Sequence, residues 1–186
     1  MRIACFVGVS VLWLICWSSP LCEAATSPGV PVHPTRQQLI GAWRLVRIEM
    51  SDSKGPIVDP FYQADSVGII VYDSSGWMSV QISAPHRPAV DAPESRLSPP
   101  AAGQESLLKA AAFDTYYSYF GTWDYDEATT AVTHHVKSSL IPAETGESFA
   151  QRVSLEGGRL IFTARRGKNG EEAVGRKVWE RIPGVK

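Results

Sequence analysis

From residue 39 to residue 182 the chain is a succession of short β-branched and aromatic runs, each ended by turn residues. This pattern restricts the fold more than any other feature of the 186 residues. Eight runs can be counted, at 41–50, 67–72, 77–83, 116–125, 131–140, 148–155, 159–165 and 173–182. The connections Asp73-Ser74-Ser75-Gly76, Asp126-Glu127, Thr145-Gly146, Gly157-Gly158 and Lys168-Asn169-Gly170 carry tight-turn chemistry, which makes neighbours in sequence antiparallel neighbours in space. Such a meander either exposes two edges or closes on itself, and eight strands are the number that closes a small barrel. The expected class is therefore all-β, a small antiparallel eight-stranded barrel.

Two segments interrupt the meander. Residues 85–100 are Pro-rich and too long for an ordinary hairpin loop, which suits a lid or mouth segment. Residues 104–113 (QESLLKAAAF) are helix formers with Leu107, Leu108, Ala111 and Ala112 at helical spacing. They predict one short helix before the fifth-from-last strand, packed on the sheet as a plug or flap.

The start of the chain has the layout of an export signal. Arg2 precedes an apolar run over residues 3–17, which Ser18, Ser19 and Pro20 end, and Cys22 and Ala24 supply the small residues wanted before a cut after Ala24. A spanning helix needs roughly 20 apolar residues, more than this run offers. The expected organisation is a signal peptide over 1–24, a Pro-rich spacer over 25–36 and one domain over 37–183, placed in the secretory pathway or outside the cell. All three cysteines, Cys5, Cys16 and Cys22, belong to the leader, so the mature domain has no disulfide to form and depends on its core. Asn169 is followed by Gly170 and Glu171, so there is no glycosylation sequon. A formal net charge of -1 with interspersed signs gives no footprint for nucleic acid and no polybasic strip for a membrane.

Gly41-Ala42-Trp43 at the head of the first run resembles the Gly-x-Trp signature that begins lipocalin and calycin barrels. LIGAWRLVRIE, IIVYDSSGWMSVQI, YYSYFGTWDYD, VTHHVKSSLIP and RKVWERI together resemble the lipocalin-like domain family of bacterial and fungal proteins. The resemblance implies a barrel around an apolar or mixed cavity, with Trp43 packed at the closed end against an arginine of the last strand, Arg181 or Arg176. Arg181 shares a face with Trp179 and is the better choice. The chain departs from typical secreted lipocalins by lacking their disulfide and by inserting the Pro-rich segment and helix. Members of such families act as small-molecule carriers or as accessory enzymes of secondary-metabolite routes.

The candidate site residues follow from strand parity. Successive strand residues point to opposite faces, so only one of His134 and His135 can face inward, and His134 shares its face with Val132 and Val136. An inward His134 is either a core histidine bonded to a neighbouring strand or an acid-base group for bound substrate. His135, on the face of Lys137, reads as exposed. Tyr117, Tyr119, Trp123 and Tyr125 form one face of their strand, which either lines a pocket or is ordinary core, and Gly121 between them marks a bend or bulge. Arg152 matches a family position. It is either an inward contact for a ligand's carboxylate or carbonyl, or a surface residue. Arg47 and Glu49 share the face of Trp43 and pose the same question.

No metal-ligand spacing, nucleotide loop or nucleophile motif occurs, so neither metal nor cofactor is expected. Two functional expectations remain. One is a secreted barrel that binds a small, largely hydrophobic molecule through Tyr117, Tyr119, Trp123, Tyr125 and Arg152. The other is a cofactor-free isomerase or cyclase that uses His134 in the same cavity. The sequence leaves open carrier against enzyme, and the oligomeric state with it.

Overall fold

The computed structural model describes residues 32–58, 62, 65–90, 103–168 and 171–184. The proposed signal peptide, most of the spacer, residues 91–100 of the Pro-rich segment and the hairpin tip at 169–170 lie outside the described residues. Its elements run α1 (Arg36–Leu39), β1 (Gly41–Asp52), β2 (Gly55–Ile57), β3 (Val67–Tyr72), β4 (Trp77–Ser83), α2 (Gly103–Asp114), β5 (Tyr116–Asp126) and β6 (Ala131–Ser139). A 3-10 turn (Pro142–Glu144), β7 (Ser148–Glu156), β8 (Arg159–Lys168) and β9 (Glu171–Arg181) complete the order. All neighbouring strands pair antiparallel, and β1 pairs with β9 from Trp43↔Arg181 to Ser51↔Val174, closing an eight-stranded barrel. The eight sequence runs are β1 and β3 to β9. The extra β2 is a three-residue return strand on the overhang of β1 (Met50↔Ile57), and α1 is an additional helical turn.

Alternation places Ile70 and Tyr72, Met78, Val80 and Ile82, Tyr119 and Trp123, Val132 and Val136, Val153, Leu160 and Phe162, and Trp179 in one interior cluster. Two irregularities adjust this alternation. In β1 the register shifts between Leu45 and Arg47, so Ile48 rather than Arg47 packs against the core. This corrects the simple parity reading of Arg47 and Glu49: they leave the face of Trp43 and bond to each other at the surface. The second shift, between β5 and β6 at Phe120/Gly121, sets Gly121 against His135 so closely that a Cβ would meet the His135 carbonyl oxygen at 2.0 Å. Only glycine fits there.

The two ends of the barrel differ. At one end α1, with a Thr35–Gln38 capping box, lays Leu39 across the opening, fully buried. The Trp43 indole donates to the Leu39 carbonyl at 2.9 Å. The other end carries the long connections, β1 to β3, β4 to β5 and β6 to β7. Ile57, Val58, Val67, Leu107, Leu108, Phe113 and Ile141, which belong to these connections or to the strand ends beside them, are exposed. Helix α2 sits here, but the expectation of a plug is corrected: none of its residues is buried. Its apolar residues do not face the sheet as one stripe, because a three-alanine run offers little side chain to bury.

Candidate functional site

The most polar feature of the interior is centred on His134, which is only 1% exposed. Val132 and Val136 on the same face of β6 are buried with it, and its strand partners are Trp123 in β5 and Phe149 in β7. The Tyr72 hydroxyl lies 2.6 Å from Nε2 and the Tyr119 hydroxyl 2.7 Å from Nδ1, so both ring nitrogens are occupied by phenols from β3 and β5. Phe162, Tyr72 and Tyr119 surround the ring at centroid distances of 5.6 to 6.2 Å. Burial first, then the charges of Lys177 and His135, lowers the imidazole to about 3, so it is neutral at physiological pH. Burial also raises Tyr72 and Tyr119, with Glu144 adding to the effect on Tyr119. All three groups therefore stay uncharged, joined in a relay that can donate, accept and pass hydrogens.

The relay marks a boundary within the barrel. Toward the closed end the inner wall is sealed by Trp43, Leu45, Ile70, Trp123, Leu160 and Trp179. Toward the open end Ile82, the strand partner of Tyr117, stays buried, whereas the inner-face residues Ile48, Tyr117, Phe149, Ala164, Gly175 and Lys177 are only half-buried. Gly175 pairs with Met50 and Ala164, and a Cβ added there would meet only the Ala164 carbonyl, at 3.9 Å. Tyr117, whose ring is 5.4 Å from that of Tyr119, donates to Glu144 at 3.0 and 3.2 Å, and Ser139 donates to the same carboxylate at 2.8 Å. Glu144 thus ties the β6–β7 connection to the upper wall. Burial, then Tyr119 and Glu144, pushes the Tyr117 hydroxyl far above its ordinary range.

The structure separates the residues that the sequence grouped. Tyr117 and Tyr119 lie in and above the relay. Trp123 and Tyr125 share their face but lie at the closed end, where the Trp123 indole donates to the Asp73 carbonyl at 3.1 Å under the Arg36 guanidinium, and the Tyr125 hydroxyl donates to the Pro34 carbonyl at 2.7 Å. Arg181 lies 4.1 Å over the Trp43 ring and donates to the carbonyls of Ile40, at 2.8 Å, and Gln38. Arg176 instead pairs with Glu156 at 3.0 Å and Glu49 at 3.7 Å.

For Arg152 the inward reading is corrected. It is exposed on the outer face of β7, because Val153, its immediate neighbour, is the residue buried in the core. His135 also faces out, bonded to Ser148 at 2.8 Å and Asp124 at 2.9 Å. Sequence reasoning missed Tyr72, Gly175 and Lys177. Parity with Trp179 could have placed the last two on the inner face, whereas nothing local to VGIIVY sets its final tyrosine against a histidine 62 positions away.

The family description "lipocalin-like domain" matches residues 40–182. No curated protein matches the chain. Among solved structures it is similar to a lipocalin whose expression is activated on cell transformation by the myc oncogene, known from its solution structure. That likeness has 10% identity, covers 82% of this chain and 76% of that one, and has a TM-score of 0.29. The family match begins one residue before β1 and ends one residue after β9, enclosing the barrel and the relay alike, and the chain belongs to the lipocalin-like domain family.

Proposed function

We propose that this protein is an exported barrel that binds a small, largely apolar molecule in the upper half of its interior, above the Tyr72–His134–Tyr119 relay. The observation that carries the reading is the change along much of the inner wall, buried toward the closed end and half-buried above His134 on β1, β5, β7, β8 and β9, where a Cβ placed on Gly175 would meet only the Ala164 carbonyl oxygen. An apolar space with a few fixed polar groups is the ordinary build of a small-molecule site. The leader over 1–24 supports export, so the ligand would be met in or beyond the secretory pathway.

The test is titration with the neutral fluorophore N-phenyl-naphthylamine, alongside organic extraction of natively purified protein. A saturable site is expected, weakened at least tenfold by Gly175→Leu, which adds a side chain to the inner face of β9 two inward positions above Trp179. No saturable site and no extractable molecule would end the binding reading.

The relay also favours a second reading, a cofactor-free isomerase or cyclase. His134 holds the Tyr119 hydroxyl toward the upper half of the barrel, where a phenol can give a hydrogen to one atom of a bound substrate and take one back from another, leaving the buried ring uncharged. On a substrate found by extraction, His134→Gln should then lower turnover by about 100-fold. An unchanged rate would remove His134 from the chemistry.

A further inference from the structure

The hydrogens of the relay do not balance internally. A neutral imidazole brings one N–H and one bare nitrogen, and each phenol brings one O–H. Two hydrogen bonds use two of these three hydrogens: the N–H donates to one phenol oxygen, and the other phenol donates to the bare nitrogen. The phenol that accepts keeps its own O–H, and among the described residues no acceptor stands within reach of it. A buried donor without an acceptor costs about 1–3 kcal/mol. The interior holds a second such donor, the indole N–H of Trp179, which is buried and unpaired among the described residues. Trp179 pairs with Leu160, one inward residue along β8 from the Phe162 that packs on His134.

Position distinguishes the two phenols. Tyr72 is sealed in the lower half, 1% exposed, with its ring 4.6 Å from that of Trp123. Tyr119 is nearer the open end, beside Tyr117, whose hydroxyl is already committed to Glu144. We propose that Tyr119 accepts from Nδ1–H of His134 and turns its own O–H to the ligand, and that the ligand meets it with a carbonyl-type oxygen. This rests on the binding function proposed above and specifies the chemistry of its occupant. Tyr72 then donates to Nε2 and completes the relay. A bare hydrocarbon leaves the Tyr119 hydrogen unmet, and an alkylammonium brings another donor and a positive charge toward Lys177.

The experiment compares decane, methyl octyl ketone and decylamine as competitors of N-phenyl-naphthylamine, with infrared detection of the bound ketone. In the wild type the ketone is expected to bind about tenfold more tightly than decane, the amine no better than decane, and the C=O stretch to move to lower frequency. In Tyr119→Phe the preference for the ketone over decane should disappear and the C=O shift be lost. Nitrogen NMR of the wild-type protein should find His134 as its Nδ1–H tautomer, a readout independent of how well the variant folds. Equal binding of ketone and decane, a ketone preference that survives Tyr119→Phe, or an Nε2–H tautomer each overturns the proposal while leaving apolar binding intact. If neither decane nor the ketone displaces the probe, the binding function itself fails.

Discussion

A Cβ on Gly41 would lie 2.6 Å from Nη1 of Arg181, inside the guanidinium that covers the Trp43 ring. Gly41 also has φ +128°, a conformation that side chains with a Cβ rarely adopt. The first residue of the Gly-x-Trp signature is thus small because the last strand's arginine passes over it to reach the carbonyls of Gln38 and Ile40. Trp43, Leu39 and Arg181 form one closure at this end of the barrel, drawn from the first and last parts of the domain's sequence.

Gly41→Ala should therefore cost about 2 kcal/mol or more in urea unfolding, from backbone strain and the displaced guanidinium together. The substitution Arg181→Met removes the clash and leaves only the strain. In a double-mutant cycle the Gly41→Ala loss should shrink in the Arg181→Met background by about 1 kcal/mol. Strictly additive losses would show that the two residues do not compete for this space.

The buried neutral state of His134 predicts an acid sensitivity with a definite sign. Its folded pKa, about 3, lies below the ordinary value of 6.5. Between those values the unfolded chain binds the extra proton, so stability is full above about pH 6.5 and declines as pH falls toward 3. The slope is about 1.4 kcal/mol per pH unit within that window. Carboxylates contribute their own acid effects, so the comparison is with His134→Gln, which keeps a donor and an acceptor but cannot titrate there. From pH 7 to pH 5 the wild type should lose about 2 kcal/mol more than this variant. Parallel losses would mean that His134 is not held neutral by folding.

Much of this architecture could be read from local pattern, because each strand carries its own alternation and each hairpin its own turn residues. Parity with Val132 and Val136 suffices to place His134 inward, as the same rule places Tyr119. Parity fails where the backbone itself departs from it: the β1 register shift carries Arg47 and Glu49 outward, against the face they would share with Trp43 in an unbroken strand. The position of Tyr72 depends on three strands meeting inside a closed barrel, information that no window of sequence contains. Arg152 is the converse case. Its neighbour Val153 already marked the buried face, and an apparent family match obscured that signal.

The bulge at Gly121 gives a third expectation. A Cβ there would meet three backbone atoms, the carbonyl oxygen and carbon of His135 at 2.0 and 2.9 Å and the amide nitrogen of Lys137 at 3.0 Å. Backbone cannot swing aside as a side chain can, so Gly121→Ala should cost about 3 kcal/mol or more, or prevent closure. The neighbouring β5 residues include Tyr119 and Trp123, so any folded fraction should also lose the relay, visible as a changed His134 ring signal in NMR. Gly175→Ala, whose Cβ meets only an oxygen at 3.9 Å, should cost under about 1 kcal/mol. Similar losses at the two positions would refute the steric account of the bulge.

The adjacent histidines should respond oppositely to the same substitution. His134 is enclosed, and its removal leaves the Tyr72 and Tyr119 hydroxyls buried without their partner as well as a cavity beside Phe162. His135 makes a comparable number of bonds, to Ser148 and Asp124, but its side chain is 38% exposed and that of Asp124 79%. Water can replace those bonds at little cost. His134→Ala should thus destabilise by about 3 kcal/mol or more, through the cavity and the stranded hydroxyls, and His135→Ala by less than about 1 kcal/mol. Urea unfolding at pH 7.5 reads both, at a pH where the unfolded chain carries an ordinary histidine mostly uncharged. A cheap loss at His134 would mean that the two phenols find other partners, and the relay would then no longer explain why a histidine occupies the centre of the barrel.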